Sequence, residues 1–361
     1  MRLDRLITLN LMQPLRRIRI TSALRSATED GHHASRITSL PILMYHSISD
    51  DPEPGVSPYY KVNTSPAVFR QHMQFLADHD YRTVSLDQLV SMLTMGLRDY
   101  RITGLQDHGV TMPRGPISAF SFQLSAFPKL VCITFDDGFR DFYTEAFPAL
   151  QEHGFTATVF LPTAFIGGSR SVQGSRFDGS GFKVPCHFPF RNPHCEFLTW
   201  NEVNELRKEG IHFGSHTVNH PKLVELDWPE ITSELSNSKS EIEQQLGEPV
   251  TSFCYPFAFP QTDRSFAQTF RELLSESGYS SCATTELGRV RPGTNPFRLK
   301  RLPANSLDDL ALFAAKLDGA YDWLAAPQSA AKALKALVRP QLRAQTSTFN
   351  AQRSTIRCPR T

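Results

Sequence analysis

The 361-residue sequence contains no apolar run that approaches about 18 residues, the length at which a membrane-spanning helix becomes a candidate. Its N-terminus, "MRLDRLITLN", has no clean apolar segment followed by a convincing cleavage site, so we expect no standard secretory signal. The six cysteines are scattered, and three lie inside apolar, strand-like runs, which excludes a disulfide framework. By sequence alone, the cytoplasm is the expected compartment.

Acidic residues are missing from residues 323–361, which carry seven basic residues, while residues 1–40 carry seven Arg against three acids. Because the net charge of the chain is +2, about −9 remains for residues 41–322. Both ends also lack a periodic apolar pattern. We therefore predict a disordered basic extension over 1–38, a globular domain over 39–322 and a basic, partly helical tail beyond it. Such tails could contact an anionic polymer, a nucleic acid or a membrane surface, but solvated tails without a partner are more common. We therefore expect no nucleic-acid partner.

Seven short apolar runs alternate with helical patterns from residue 39 onward. Several runs are apolar throughout, as expected for strands that are covered on both faces. The strands are predicted over 41–45, 130–135, 156–161, 211–214, 252–255, 280–283 and 298–302. Amphipathic helices are predicted over 66–79, 199–209, 229–246 and 264–277, and Thr199 with Glu202 indicates a capping box.

This alternation predicts an α/β fold with about seven parallel strands inside a layer of helices. A distorted (β/α) barrel fits better than an open sheet, because the polar motifs described next all follow strand ends and would share one rim. Two segments without a clear period, 97–128 and 167–197, are predicted to be long loop insertions that shape the mouth of a site.

Two polar motifs follow predicted strands. The stretch "ITFDDG" places Asp136 beside Asp137, and "HFGSHTVNHP" contains His216 and His220. Taken singly, Asp-Asp-Gly is more often a turn, and two such His are more often exposed. Together they provide two imidazoles and a carboxylate, which suit Zn and also Fe or Co. A dication would offset the repulsion between the carboxylates, with one Asp as its ligand and the other free as a base.

The succession T-F-D-D-G and S-H-T-x-x-H-P resembles the polysaccharide deacetylase family, the NodB-homology domain of carbohydrate esterase family 4, over roughly residues 39–310. The start "LPILMYHSISD" resembles its branch that deacetylates poly-N-acetylglucosamine exopolysaccharides. The resemblance implies a distorted barrel that removes acetyl groups from glycans with one divalent ion, Zn foremost, with Co, Fe or Ni as alternatives. By position, Asp136 matches the catalytic base, and Asp137, His216 and His220 match the metal ligands. It also implies an envelope or extracellular location as the alternative compartment.

Two positions depart from the family pattern. In "SFCYPFAFP", Pro256 and Phe257 fit the family element R-x-P-[YF], but Cys254 stands where an Arg usually steadies the base. The resemblance assigns the backbone N–H of Phe257 to the oxyanion. No His follows His220, whereas the family usually supplies a late His as general acid. His46, in the M-Y-H segment, is the predicted replacement, and a core or rim His is the alternative.

Three further features are predicted to have no part in the functional site. Lys300 and Arg301 flank the last strand and are interpreted as surface charges, with substrate contact as the alternative. Asp141 is predicted to face solvent near the start of a helix. The stretch "CHFPFRNPHC" offers ligands for structural zinc, but its spacing matches no standard pattern, so a plain loop is predicted. Its candidate ligands are Cys186, His187, His194 and Cys195.

The functional prediction is a metal-dependent hydrolase that removes N-acetyl groups from a polysaccharide or oligosaccharide. One alternative keeps the chemistry but changes the substrate to peptidoglycan, chitin oligomers or another N-acylated molecule. The other is a non-catalytic glycan-binding domain on a decayed enzyme scaffold. The intact pair of Asp and pair of His argue against it, because a binding module does not require a base beside a metal ligand.

Overall fold

The computed structural model describes residues 2–16, 18, 39–95, 129–167, 176–177, 183–184, 196–257 and 263–338. The strands of this part of the chain are β1 (Ile42–Tyr45), β2 (Tyr81–Thr83), β3 (Lys129–Phe135), β4 (Thr158–Leu161), β5 (Arg176–Phe177), β6 (Lys183–Val184), β7 (His212–Ser215), β8 (Ser252–Cys254), β9 (Ser281–Leu287) and β10 (Leu299–Pro303). The helices are α1 (Leu3–Ile7), α2 (Pro66–Asp78), α3 (Leu86–Met95), α4 (Phe147–Gln151), α5 (Trp200–Lys208), α6 (Trp228–Leu246), α7 (Arg264–Glu276), α8 (Leu310–Asp318) and α9 (Ala325–Val338).

Seven parallel strands close into a barrel. Their order is β1-β10-β9-β8-β7-β4-β3, and β3 pairs back to β1, with Leu43 opposite Ile133. These are the seven strands that the apolar runs predict, so the distorted (β/α) barrel is confirmed. The strand β2 extends the sheet beside β3 and was not predicted, because its three residues include one buried side chain and form no apolar run. The two-residue strands β5 and β6 pair within the 167–197 insertion.

The barrel strands are buried on both faces, as their continuous apolar composition predicts. All four residues of β4 are buried, and so are the last five of β3. Helices cover the outside through single apolar stripes; Phe266, Phe270 and Leu274 form the buried stripe of α7. The predicted capping box at Thr199 and Glu202 is present at the start of α5. The result is a barrel whose strand ends are held at fixed positions around one rim.

The N-terminal residues depart from the predicted disordered extension. Residues 3–12 are helical, and α1 leads into a π-helical turn at Thr8–Met12. Arg2 pairs with Asp308 at 2.7 Å, and the indole N–H of Trp323 donates to Thr8 at 3.0 Å. These partners lie about 300 positions away along the chain, so no local pattern could have predicted the contacts. The division of the chain at residues 39 and 322 stays a prediction.

Other predictions fall outside the described part of the chain. The 97–128 insertion and the segment from Cys186 to Cys195 both lie outside the described residues. Within the described residues, no helix combines the length and the apolar character needed to cross a bilayer.

A buried ion-pair cluster anchors the N-terminal helix, and we expect it to dominate the stability of this region. Asp308 is fully buried and bonds Lys316 at 2.5 Å as well as Arg2. The change Asp308→Asn removes the carboxylate that pairs with the buried Lys316 and leaves Arg2 with Asp4 alone, so it should lower the free energy of unfolding by about 3 kcal/mol in urea titrations.

The matched control is Asp309→Asn. Asp309 pairs with Arg5, but its side chain is half exposed, and Asn caps a helix as well as Asp does. This change should cost less than about 1 kcal/mol. Equal losses in the two variants would contradict a special role for the buried cluster.

Candidate active site

The predicted site residues follow the C-terminal ends of neighbouring barrel strands. Parallel strands in a closed barrel all direct these ends to one rim. The residues gathered there are His46 after β1, Asp136 and Asp137 after β3, His216 and His220 after β7, and Phe257 after β8. The structure therefore brings the predicted set to a single side of the barrel.

Asp137, His216 and His220 form a compact set of metal-type donors. The carboxylate oxygen Oδ1 of Asp137 lies 3.0 Å from Nε2 of His220 and 3.3 Å from Nε2 of His216. One ligand atom from each residue lies within 4.8 Å of the others, and all three residues are buried. The donor types and their convergence fit a divalent ion of the zinc class. Burial disfavours the carboxylate charge, but the interactions with the two neighbouring imidazoles outweigh it and hold the pKa of Asp137 well below its usual value.

The neighbouring backbone fixes which nitrogen of His216 faces this cluster. Its Nδ1 lies 2.7 Å from the carbonyl oxygen of Cys254 on β8, to which an Nδ1–H donates. That bond leaves Nε2 as the acceptor nitrogen, pointed at Asp137. A backbone carbonyl behind a metal-binding imidazole is the usual way in which its tautomer and ring orientation are set.

The loop that carries the two His is held in a strained conformation. His220 and Thr217 have φ of +54° and +70°, in the left-handed region that non-glycine residues rarely adopt. The side chain of Glu234, on α6, accepts the backbone N–H groups of Val218 and Asn219 at 2.7 and 2.9 Å. Sequence reasoning missed Glu234, which anchors this loop from a helix outside the barrel. Strain of this kind persists only where the surroundings fix the backbone, and it is typical of functional sites.

Asp136 is held by Arg301, which sequence reasoning placed on the surface. The Arg301 side chain is fully buried, and its Nη1 and Nη2 lie 2.6 and 2.8 Å from the two oxygens of Asp136. Burial raises the pKa of Asp136, but the charge and hydrogen bonds of Arg301 outweigh it, so the pKa lies below its usual value. The sequence did contain one indication that Arg301 is buried. Side chains alternate between the two faces of a strand, so Arg301 lies on the same face of β10 as Leu299, which is buried.

His46 borders Asp136, and Phe257 packs against His220. Nε2 of His46 lies 3.8 Å from Oδ2 of Asp136, and its side chain is 18% exposed, compared with 4% for Asp136. His46 is thus the more accessible of the two groups. The Phe257 ring packs edge-on against His220 with 4.9 Å between ring centroids, and Phe257 also has a left-handed φ of +60°.

Asp141 does not face solvent as predicted. Its Oδ2 accepts the hydroxyl of Ser47 at 2.5 Å, which ties the segment after His46 to the segment after the Asp pair. Its Oδ1 is buried and has no hydrogen-bond partner among the residues that the structure describes. Burial raises the pKa of Asp141 to about 6.

A closed seven-stranded parallel barrel with a buried Asp-His-His set at its rim defines a NodB-like (β/α) barrel with a candidate metal centre. Residues 125–281 match the family model described as polysaccharide deacetylase. The chain therefore carries a domain of the polysaccharide deacetylase family.

Known proteins resemble the chain beyond that segment. YxkH of Bacillus subtilis strain 168, named provisionally as a polysaccharide deacetylase, is 26% identical over 263 residues, which cover 73% of this chain and 70% of YxkH. Among solved structures, the deacetylase PplD of Streptococcus pyogenes, in complex with acetate, gives a TM-score of 0.53 at 22% identity, over 77% of this chain and 98% of PplD. IcaB from Ammonifex degensii gives 0.52 at 20% identity, over 78% and 97%. Both structural likenesses show the fold.

The buried carboxyl of Asp141 predicts a pH-dependent stability difference. Its pKa of about 6 in the folded chain exceeds the unfolded value of 3.8, so stability is lost as pH rises through this interval and the group ionises. Asp141→Asn removes that loss. We expect it to raise the free energy of unfolding by roughly 2 kcal/mol at pH 7.5 and by little at pH 4. Urea titrations at both pH values measure this, with Asp50→Asn, at an exposed position, as control. A difference that does not change with pH would contradict the assignment.

Proposed function

We propose that the chain is a metal-dependent hydrolase that removes N-acetyl groups from an N-acetylated polysaccharide or oligosaccharide. The observation that carries this proposal is that two adjacent carboxylates have different partners. Asp137 lies in the three-donor set with His216 and His220, while Asp136 is turned to Arg301 and stays outside that set. Zn is the expected ion, with Co, Fe or Ni as alternatives.

When bound by Asp137, His216 and His220, a divalent ion would polarise an acetyl carbonyl and acidify a nearby water. Asp136 takes the proton of the water that adds to the acetyl carbon. The backbone N–H of Phe257 donates to the oxyanion that develops on the carbonyl oxygen. The C–N bond then breaks, and His46 protonates the departing amine, so that acetate and a free amino sugar result.

Two observations support these roles. His46 and Asp136 lie on one rim, 3.8 Å apart, so both can face the same amide, one to accept a proton and one to donate it. PplD, whose fold the chain shares, is described as a deacetylase in complex with acetate, and acetate is the product proposed here. The resemblance of the "LPILMYHSISD" segment supports an exopolysaccharide of N-acetylglucosamine as the substrate.

The test of this function is acetate release from N-acetylglucosamine oligomers. The purified chain should release acetate, lose the activity after treatment with a chelator, and regain it when Zn²⁺ or Co²⁺ is added back. Oligomer binding without acetate release would instead support the non-catalytic glycan-binding domain. Release from peptidoglycan fragments but not from these oligomers would support the alternative substrate class.

Two substitutions should separate base from ligand. Asp136→Asn removes the proton acceptor but leaves the donor set complete, so turnover should fall by at least about 10²-fold while metal content stays near one ion per chain. His216→Ala removes a donor, so metal content and turnover should fall together. Elemental analysis of the two purified variants measures the metal content of each. Full metal content in His216→Ala would contradict the ligand assignment.

The role of His46 predicts a dependence on the leaving group. His46→Gln should lower kcat on an N-acetyl sugar by about 10²–10⁴-fold, because the amine must be protonated as it leaves. An activated acetyl ester such as p-nitrophenyl acetate needs no such proton, so its hydrolysis should fall by much less. Equal losses on the two substrates would show that His46 does not act as the general acid. Asp136→Asn, which should reduce both, is the matched control.

A further inference from the structure

Arg301 reaches the site from β10 and spans the inside of the barrel. Its Nε donates to the carbonyl oxygen of Thr284 on β9 at 3.0 Å, and its Nη1 donates to Thr134 on β3 at 3.2 Å. Its Nη2 lies 3.0 Å from the sulfur of Cys254 on β8. With the two bonds to Asp136, these contacts account for all five N–H donors of the guanidinium group.

A guanidinium group that makes five hydrogen bonds to four residues, which lie on β3, β8 and β9 and directly after β3, has one available orientation. The pairing of β10 with β9 is irregular between Leu299 and Arg301, and such irregularities re-aim side chains near active sites. Both oxygens of Asp136 lie on the fork of Arg301, so the plane of this carboxylate is fixed relative to Asp137 and His46. A Lys in its place would have three donors on a flexible stem and no fork.

Position 254 also borders this carboxylate. The sulfur of Cys254 lies 3.8 Å from Oδ2 of Asp136 and 3.0 Å from Nη2 of Arg301, and the residue is fully buried. A long cationic side chain at position 254 would meet the guanidinium group of Arg301 in a space closed to water, where like charges repel strongly. Position 254 is therefore compatible with Arg301 only when its side chain is small and uncharged.

We infer that Arg301 is the positioning residue of Asp136, and that positions 254 and 301 are two alternative origins for a single guanidinium group. This inference rests on the proposed function, in which Asp136 is the base. It accounts for the presence of Cys at position 254, since the charge that holds Asp136 comes from two strands away.

The test is a set of five variants assayed for kcat, KM, metal content and thermal unfolding. Arg301→Lys keeps the charge but loses the fork, so kcat should fall by about 10²-fold with KM within about threefold and metal content unchanged. Arg301→Met should lose at least as much activity and also stability. Lys300→Met changes the neighbouring residue, whose side chain lies beside Gly288, and leaves the contacts of Arg301 in place, so it should match the wild type.

The other two variants test the shared guanidinium group. Cys254→Arg alone should lower both kcat and the unfolding temperature, because two guanidinium groups then compete for one space. Cys254→Arg combined with Arg301→Met should exceed each single variant, by about tenfold or more in kcat. Recovery in the double variant is the result that a merely structural role for either residue would not give.

The outcomes distinguish a failure of the proposed function from a failure of the role assigned to Arg301. If the wild-type chain releases no acetate, the proposed function is wrong. The unfolding temperatures of the four variants at 254 and 301 would still show whether the two positions compete for the same space. An active wild type with full kcat in Arg301→Lys would show that Arg301 only supports the fold. A double variant no better than Arg301→Met would overturn the exchange between the two positions.

Discussion

Two neighbouring carboxylates that are buried at the end of a strand impose the constraint on which this structure depends. Asp136 and Asp137 are 4% and 5% exposed, and each must be compensated because desolvated like charges repel. Arg301 compensates the first, and two imidazoles converge on the second. The compensating groups differ in kind, so the adjacent acids are given different chemical characters.

Closure of the barrel is what makes this compensation available. In the strand order β1-β10-β9-β8-β7-β4-β3, an open sheet would leave β10 near one edge and Asp136, after β3, at the other. The pairing of β1 with β3 joins these edges and leaves a single strand between β10 and β3. Arg301 can then bond Asp136 across the interior, although 165 positions separate the two residues. The ion pair and the closed barrel therefore stabilise one another.

Sequence patterns were informative wherever a property repeats locally. Apolar runs located all seven barrel strands, and the capping box was predicted from two residues, Thr199 and Glu202. The convergence of Asp137, His216 and His220 could also be predicted, because strand ends in a parallel barrel share a rim. The bond of Arg301 to Asp136 could not be predicted, since "LKRLP" has the same appearance whether its Arg meets solvent or a carboxylate from another strand. The ion pair of Arg2 and the bond of Asp141 to Ser47 were missed for the same reason, because each depends on a partner that is remote in sequence.

The number of donors bears on whether the candidate metal centre is structural or catalytic. Structural zinc sites are closed by four protein ligands, whereas catalytic sites keep a position for water or substrate. Within the described residues, Asp137, His216 and His220 are the three that converge, and no fourth donor joins them. Asp136 is the nearest candidate in sequence, but Arg301 binds both of its oxygens and turns it away from that set. The ion pair inside the barrel thus keeps the donor set at three, which is the number that the proposed hydrolysis requires.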